Sequence, residues 1–87
     1  MKLTTMNRKI KKIIVHCAAT PPSMDIGVDT IRKWHVEDRK WSDIGYHYVV
    51  RLDGSIEIGR PISRQGAHTK GYNKESVGIC YVGGVNE

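Results

Sequence analysis

Four histidines, His16, His35, His47 and His68, and one tyrosine, Tyr46, are the side chains best suited to do chemistry in this sequence. Neutral imidazole ligates metals, and a phenol hydrogen-bonds a metal-bound water or a developing oxyanion. No short-range motif gathers them: there is no H-E-x-x-H, no C-x-x-C pair, no phosphate loop and no G-x-S-x-G. His16 ends an apolar run and therefore faces a cleft, either as a zinc ligand or as a histidine satisfied by a backbone carbonyl. His35 lies within a helical pattern beside Trp34, and His47 lies opposite a tyrosine face. For both, a structural hydrogen bond is the simpler role. Tyr46 is either a catalytic phenol or a core tyrosine with its hydroxyl at the rim. His68, Lys70, Tyr72 and Asn73 share one Gly-rich stretch. Such a set offers stacking and paired hydrogen bonds to a sugar or peptide, or is an ordinary surface loop.

The elements that must position these residues follow from pattern. Ile13 to Ala18 is a β-branched run that predicts a buried strand, broken by Thr20-Pro21-Pro22-Ser23. Apolar spacing from Val28 through Ile31 and Trp34 predicts a helix over about 29–40, with Asp25 or Asp29 at its N-terminal cap and Arg39-Lys40 favouring its far end. Tyr46 to Leu52 predicts a strand with Tyr46, Tyr48, Val50 and Leu52 on one face. Asp53-Gly54 predicts a hairpin returning through Ser55–Ile58. Residues 62–75 form a long loop, and Val77 to Val82 a last strand. One helix with four or five strands is an α/β domain built on a mixed sheet with the helix packed on one face. That helix leaves the other face bare, so more chain, a partner or a second copy must cover it.

Composition narrows the class. The chain has 87 residues, with 26% charged and no Phe, which fits one domain with a thin core. No apolar run nears the roughly 20 residues of a membrane span. The net charge of +5 resides in residues 1–12, a basic arm holding Lys2, Arg8, Lys9, Lys11 and Lys12; the rest is balanced. The arm has no aromatic residue, which argues against nucleic acid as a partner. No secretory signal is present, so the chain is expected to be cytoplasmic at synthesis, with the cell wall as a site of action reached by another route. Cys17 and Cys80 read as free thiols.

An ordered set of strings adds to this: Ile13-Ile14-Val15-His16-Cys17-Ala18-Ala19-Thr20, Ile31-Arg32-Lys33-Trp34-His35, Trp41-Ser42-Asp43-Ile44-Gly45-Tyr46-His47-Tyr48, Asp53-Gly54, Gly59-Arg60, Gly66-Ala67-His68-Thr69-Lys70-Gly71-Tyr72-Asn73 and Ser76-Val77-Gly78-Ile79. Together, over residues 13–87, they resemble the type 2 N-acetylmuramoyl-L-alanine amidases, a family that includes the peptidoglycan recognition proteins. The resemblance implies a zinc hydrolase cutting the lactyl–L-Ala amide of peptidoglycan. It maps the first zinc ligand onto His16, the catalytic tyrosine onto Tyr46 and the substrate loop onto His68, Lys70, Tyr72 and Asn73. It also implies a second His, a Cys ligand and a long helix beyond the last strand, none of which this sequence holds. The expectation is therefore an amidase domain truncated before its C-terminal helix. The alternatives are a peptidoglycan-binding module without catalysis and a self-associating protein that pairs through its open face.

Overall fold

The computed structural model of the chain describes residues 9–21 and 23–84. Residues 1–8 of the basic arm, and Pro22, lie outside them. The elements run β1 (Lys12–Cys17), α1 (Val28–Lys33) continued by a π-helical turn (Trp34–Asp38), β2 (Tyr48–Val50), β3 (Ile56–Ile58), a 3₁₀ turn (Asn73–Glu75) and β4 (Ser76–Tyr81). The sheet order is β1-β4-β2-β3. β4 runs parallel to both β1 and β2, and β3 returns antiparallel to β2, giving the mixed α/β sheet predicted from sequence.

Register fixes what each face carries. His16 lies opposite Cys80, and Cys80 opposite Val49. Alternation then puts Ile14, His16, Gly78, Cys80 and Val49 on one face. α1 covers this face, and Ile26, Val28, Ile31, Ile44, Val49, Cys80 and Val82 form the core between them. The other face holds Ile13, Val15, Ile56 and Ile58, which are 61–69% exposed, together with Tyr48, Val50, Ile79 and Tyr81. A face this apolar and this open is what the single helix led one to expect.

The hairpin forms as Asp53-Gly54 requires. Gly54 takes φ +86°, and the Asp53 carboxylate accepts from both the Ser55 N–H (2.9 Å) and its hydroxyl (2.6 Å).

The helix differs from expectation at both ends. Its N-cap is Gly27, and no side chain at that position closes it. Neither Asp25 nor Asp29 does so either. Asp25 pairs with Arg51 at 3.2 Å, and Asp29 lies 3.6 Å from Arg32. The Val28 N–H instead donates to the Glu57 carboxylate of β3 at 2.8 Å. This supplies an anion to the positive end of the helix from 29 residues away. After Lys33 the helix widens, and the Arg39 N–H reaches the Trp34 carbonyl at 3.3 Å, a five-residue step. Lys40, at φ +60°, ends the element rather than extending it.

Tyr46 also departs from the predicted alternation. β2 begins only at Tyr48, and the tyrosines part company there. Tyr48 sits in register with Ile79 on the open face, whereas Tyr46 packs against the core. Glu57→Ala is expected to cost about 1 kcal/mol in a urea unfolding series, because the helix loses its only carboxylate cap among the described residues. Asp29→Asn should leave the midpoint where it is.

Candidate functional site

Three rings meet on the covered face of the sheet. The His16 and Tyr46 ring centroids are 5.3 Å apart, His16 and His68 5.1 Å, and Tyr46 and His68 6.5 Å. His16 comes from β1, Tyr46 from the entry to β2, and His68 from the loop that precedes β4. That loop reaches the sheet because Gly78 has no side chain. A Cβ at Gly78 would lie 2.5 Å from the His68 ring. Gly66 is needed for the same approach, since a Cβ there would lie 2.6 Å from the Gly45 carbonyl oxygen.

The hydrogen bonds assign a tautomer. The Ser76 hydroxyl donates to the Tyr72 carbonyl at 2.7 Å, so its lone pair accepts the His68 Nε2–H at 3.2 Å. Neutral His68 then presents a bare Nδ1, which lies 3.0 Å from His16 Nε2 and 3.2 Å from the Thr69 hydroxyl. That hydroxyl is also 3.0 Å from His16 Nε2. Asn73 holds the loop in place: its side-chain oxygen accepts the backbone N–H of His68 at 2.9 Å and of Thr69 at 2.8 Å.

Burial sets the protonation states. It lowers the pKa of His16 below the ordinary imidazole value. It also lowers that of His35, helped by the nearby charges of Arg39 and Arg60. Burial pushes Tyr46 up to about 12 and Cys80 up to about 11, and the two side chains share a hydrogen bond. At neutral pH His16 and His35 are therefore uncharged and the Tyr46 phenol is protonated. Protonated Tyr46 can donate a hydrogen bond to a carbonyl or oxyanion there.

The remaining candidates divide clearly. His35 Nδ1 accepts the Gly45 N–H at 2.9 Å, and its ring packs on Trp41 at 4.6 Å. His47 is fully buried. Its Nδ1 accepts the Gly78 N–H at 3.0 Å, so its Nε2–H donates to the Arg64 carbonyl at 2.7 Å. Both are structural. Lys70 and Asn73 line a cleft of about 360 Å³ beside His68, while Tyr72 lies outside it, its ring under the Lys12 ammonium at 4.5 Å. Asp43 steadies the turn before Tyr46: one carboxylate oxygen accepts from Arg32 Nε (2.8 Å) and from the Ile44 N–H (2.7 Å). Pattern reasoning passed over Gly78, although a lone glycine inside an apolar strand signals close approach by another group. Arg39, which pattern places only at the favourable end of the helix, lines the same cleft as Lys70.

Zinc asks for three protein ligands with a fourth position open. His16 Nε2 and His68 Nδ1 are two donors of the right kind that converge. Among the described residues no group of three or more His, Cys, Asp or Glu side chains could hold a metal ion. The described residues alone therefore do not fit a catalytic zinc. Cys17 lies on the opposite face, its thiol donating to the Gly83 carbonyl at 3.2 Å.

A mixed sheet with a His–Tyr–His mouth beside a polar loop cleft, covered by one helix, is a small α/β domain. A family model described as N-acetylmuramoyl-L-alanine amidase matches residues 6–87. The endolysin of Klebsiella phage KP32 is 49% identical over 82 residues, covering 94% of this chain and 54% of its own length. The N-acetylmuramoyl-L-alanine amidase LysC from Clostridium intestinale superposes with a TM-score of 0.78 at 33% identity, over 90% of this chain and 50% of that one. Peptidoglycan recognition protein LE, solved with tracheal cytotoxin, a monomeric diaminopimelic acid-type peptidoglycan, gives 0.76 at 31%, over 90% and 49%. The chain belongs to the N-acetylmuramoyl-L-alanine amidase family, and it spans about half the length of these relatives.

Gly78→Ala is expected to expel the His68 ring from the sheet. The proton NMR cross-peaks between the His16 and His68 rings should vanish while the amide pattern of β1 and β4 persists. Retention of those cross-peaks would show that the ring does not depend on the missing Cβ.

Proposed function

We propose that this chain forms the substrate-facing part of a zinc-dependent N-acetylmuramoyl-L-alanine amidase, acting on peptidoglycan in the cell wall. The observation that carries this is the convergence of His16, Tyr46 and His68 at one mouth, on the positions where the family resemblance puts a zinc ligand, the catalytic tyrosine and the substrate loop. His16 is the metal donor this chain brings; the remaining ligands come from outside the described residues. The Tyr46 phenol donates to the scissile carbonyl as negative charge grows on its oxygen. His68, Lys70, Tyr72 and Asn73 belong to the loop that receives sugar and stem peptide, Asn73 by holding the His68–Thr69 backbone.

Binding and hydrolysis are separable in this scheme. The chain is expected to sediment with insoluble peptidoglycan and not with chitin, and Tyr46→Phe should sediment equally well. Any release of L-Ala amino termini, assayed with zinc added, should fall by at least about 100-fold in Tyr46→Phe. Failure of the unaltered chain to sediment would remove the proposal.

A second reading concerns the open sheet face. Ile13, Val15, Ile56 and Ile58 are 61–69% exposed on one sheet face, and exposed apolar faces of this kind mark interaction surfaces. We propose that this face is covered by a second copy when the chain is alone. A solution mass of twice 9.8 kDa that drops to 9.8 kDa in Ile58→Lys is the expected result; a monomer at high concentration would contradict it.

A further inference from the structure

Arg60, two residues after β3, reaches backbone carbonyls from two separate segments. Its Nε donates to the Ile44 carbonyl at 2.9 Å, Nη2 to the Asp43 carbonyl at 3.3 Å and Nη1 to the Gln65 carbonyl at 2.8 Å. Its own backbone N–H donates to the Tyr46 carbonyl at 2.9 Å. Among the described residues the Arg60 side chain takes part in no ion pair. The Asp43 carboxylate is engaged instead by Arg32 and the Ile44 N–H. A guanidinium whose three nitrogens all meet main-chain oxygens holds backbone in place, and charge assistance makes those bonds strong.

The two segments are the ones that deliver Tyr46 and His68. Asp43 and Ile44 form the turn that leads into Tyr46, and Gln65 opens the stretch Gln65-Gly66-Ala67 that leads into His68. Around Arg60 the same segments are joined by the Ala67 N–H on the Gly45 carbonyl at 3.0 Å and by the His47 Nε2–H on the Arg64 carbonyl at 2.7 Å. His16 and His68 are brought together differently. Their contact rests on the open space at Gly78 and on the hydroxyls of Ser76 and Thr69, none of which Arg60 touches.

We infer that Arg60 is a positioning residue, a clamp between the Asp43-Ile44 and Gln65 carbonyls that sets the Tyr46 phenol against the His68 ring so that both face one ligand. Its role in a reaction rests on the amidase reading, whereas the clamp itself is a matter of structure. Lysine cannot do the same work, because one ammonium keeps the charge but does not spread donors over three nitrogens in a fixed plane.

The test is NMR on the isotopically labelled full chain. In the unaltered chain the Arg60 Nε–H and its two Nη groups should give separate, slowly exchanging signals; a single averaged Nη signal would overturn the clamp without any substitution. In Arg60→Ala and in Arg60→Lys the proton cross-peaks between the Tyr46 and His68 rings should be lost. Those between His16 and His68, and the amide pattern of β1 and β4, should persist. A non-denaturing concentration of guanidinium chloride should restore the lost cross-peaks in Arg60→Ala, and methylammonium chloride should not. Persistence of the Tyr46–His68 cross-peaks in both variants would overturn the inference. So would their loss together with the His16–His68 cross-peaks, which is the result of a merely structural role. Sedimentation with peptidoglycan should be unchanged in Arg60→Lys, while any release of L-Ala amino termini should fall by about 10- to 100-fold. Equal release would overturn the role in the reaction. Failure of the unaltered chain to sediment would overturn the amidase reading and leave the clamp to the ring cross-peaks.

Discussion

The site depends on a side chain that is missing. Gly78 stands in the middle of β4, and the space a Cβ would fill is taken by the His68 ring. From that seat His68 Nδ1 comes within 3.0 Å of His16 Nε2, across 52 residues of sequence. Everything else about the loop serves the same placement. Asn73 collects two backbone N–H groups, Ser76 takes the far side of the ring, and Gly66 lets the backbone close on Gly45. A loop of this length is entropically expensive to fix. It is held by hydrogen bonds and glycine-only approaches rather than by apolar burial of its own.

Parallel pairing supplies the other half of the arrangement. Because β1 and β2 both pair with β4, His16, Cys80 and Val49 align across the sheet, and the helix buries what lies around them. Partial burial then favours neutral His16 and His35 and keeps the Tyr46 phenol and Cys80 thiol protonated. The His16–Tyr46–His68 mouth thus sits next to a cleft lined by Arg39 and Lys70. The sheet is asymmetric in consequence: one face builds the core and the site, and the other leaves Ile13, Val15, Ile56 and Ile58 in water.

Much of this was legible in the residues, and for a reason. β1, the Asp53-Gly54 hairpin and β4 are set by local pattern, and each is found within a residue or so of where periodicity put it, although β1 is open on one face rather than the buried strand its apolar run predicts. The bare sheet face followed from counting helices. What local pattern could not reach were contacts between distant segments. The cap on α1 comes from Glu57, 29 residues away, and not from Asp25 or Asp29 beside the helix start. Tyr46 was assigned to the face of Tyr48 by strict alternation, but β2 starts only at Tyr48 and Tyr46 turns to the core. His35 and His47 read as structural; His35 Nδ1 accepts a backbone N–H, and both ring nitrogens of His47 bond backbone groups. The pairing of His16 with His68 was invisible, since nothing in the spacing of two histidines 52 residues apart signals contact.

The central claim is that the His16–Tyr46–His68 mouth and the adjoining cleft face the ligand. It is tested most directly by NMR on the isotopically labelled chain as a soluble N-acetylmuramoyl peptide is added. The ring resonances of His16, Tyr46 and His68 and the side-chain signals of Arg39 and Trp41 should move together and saturate with one affinity. Movement confined to Ile13, Val15 and Ile58 on the opposite face, or no movement at all, would contradict the account.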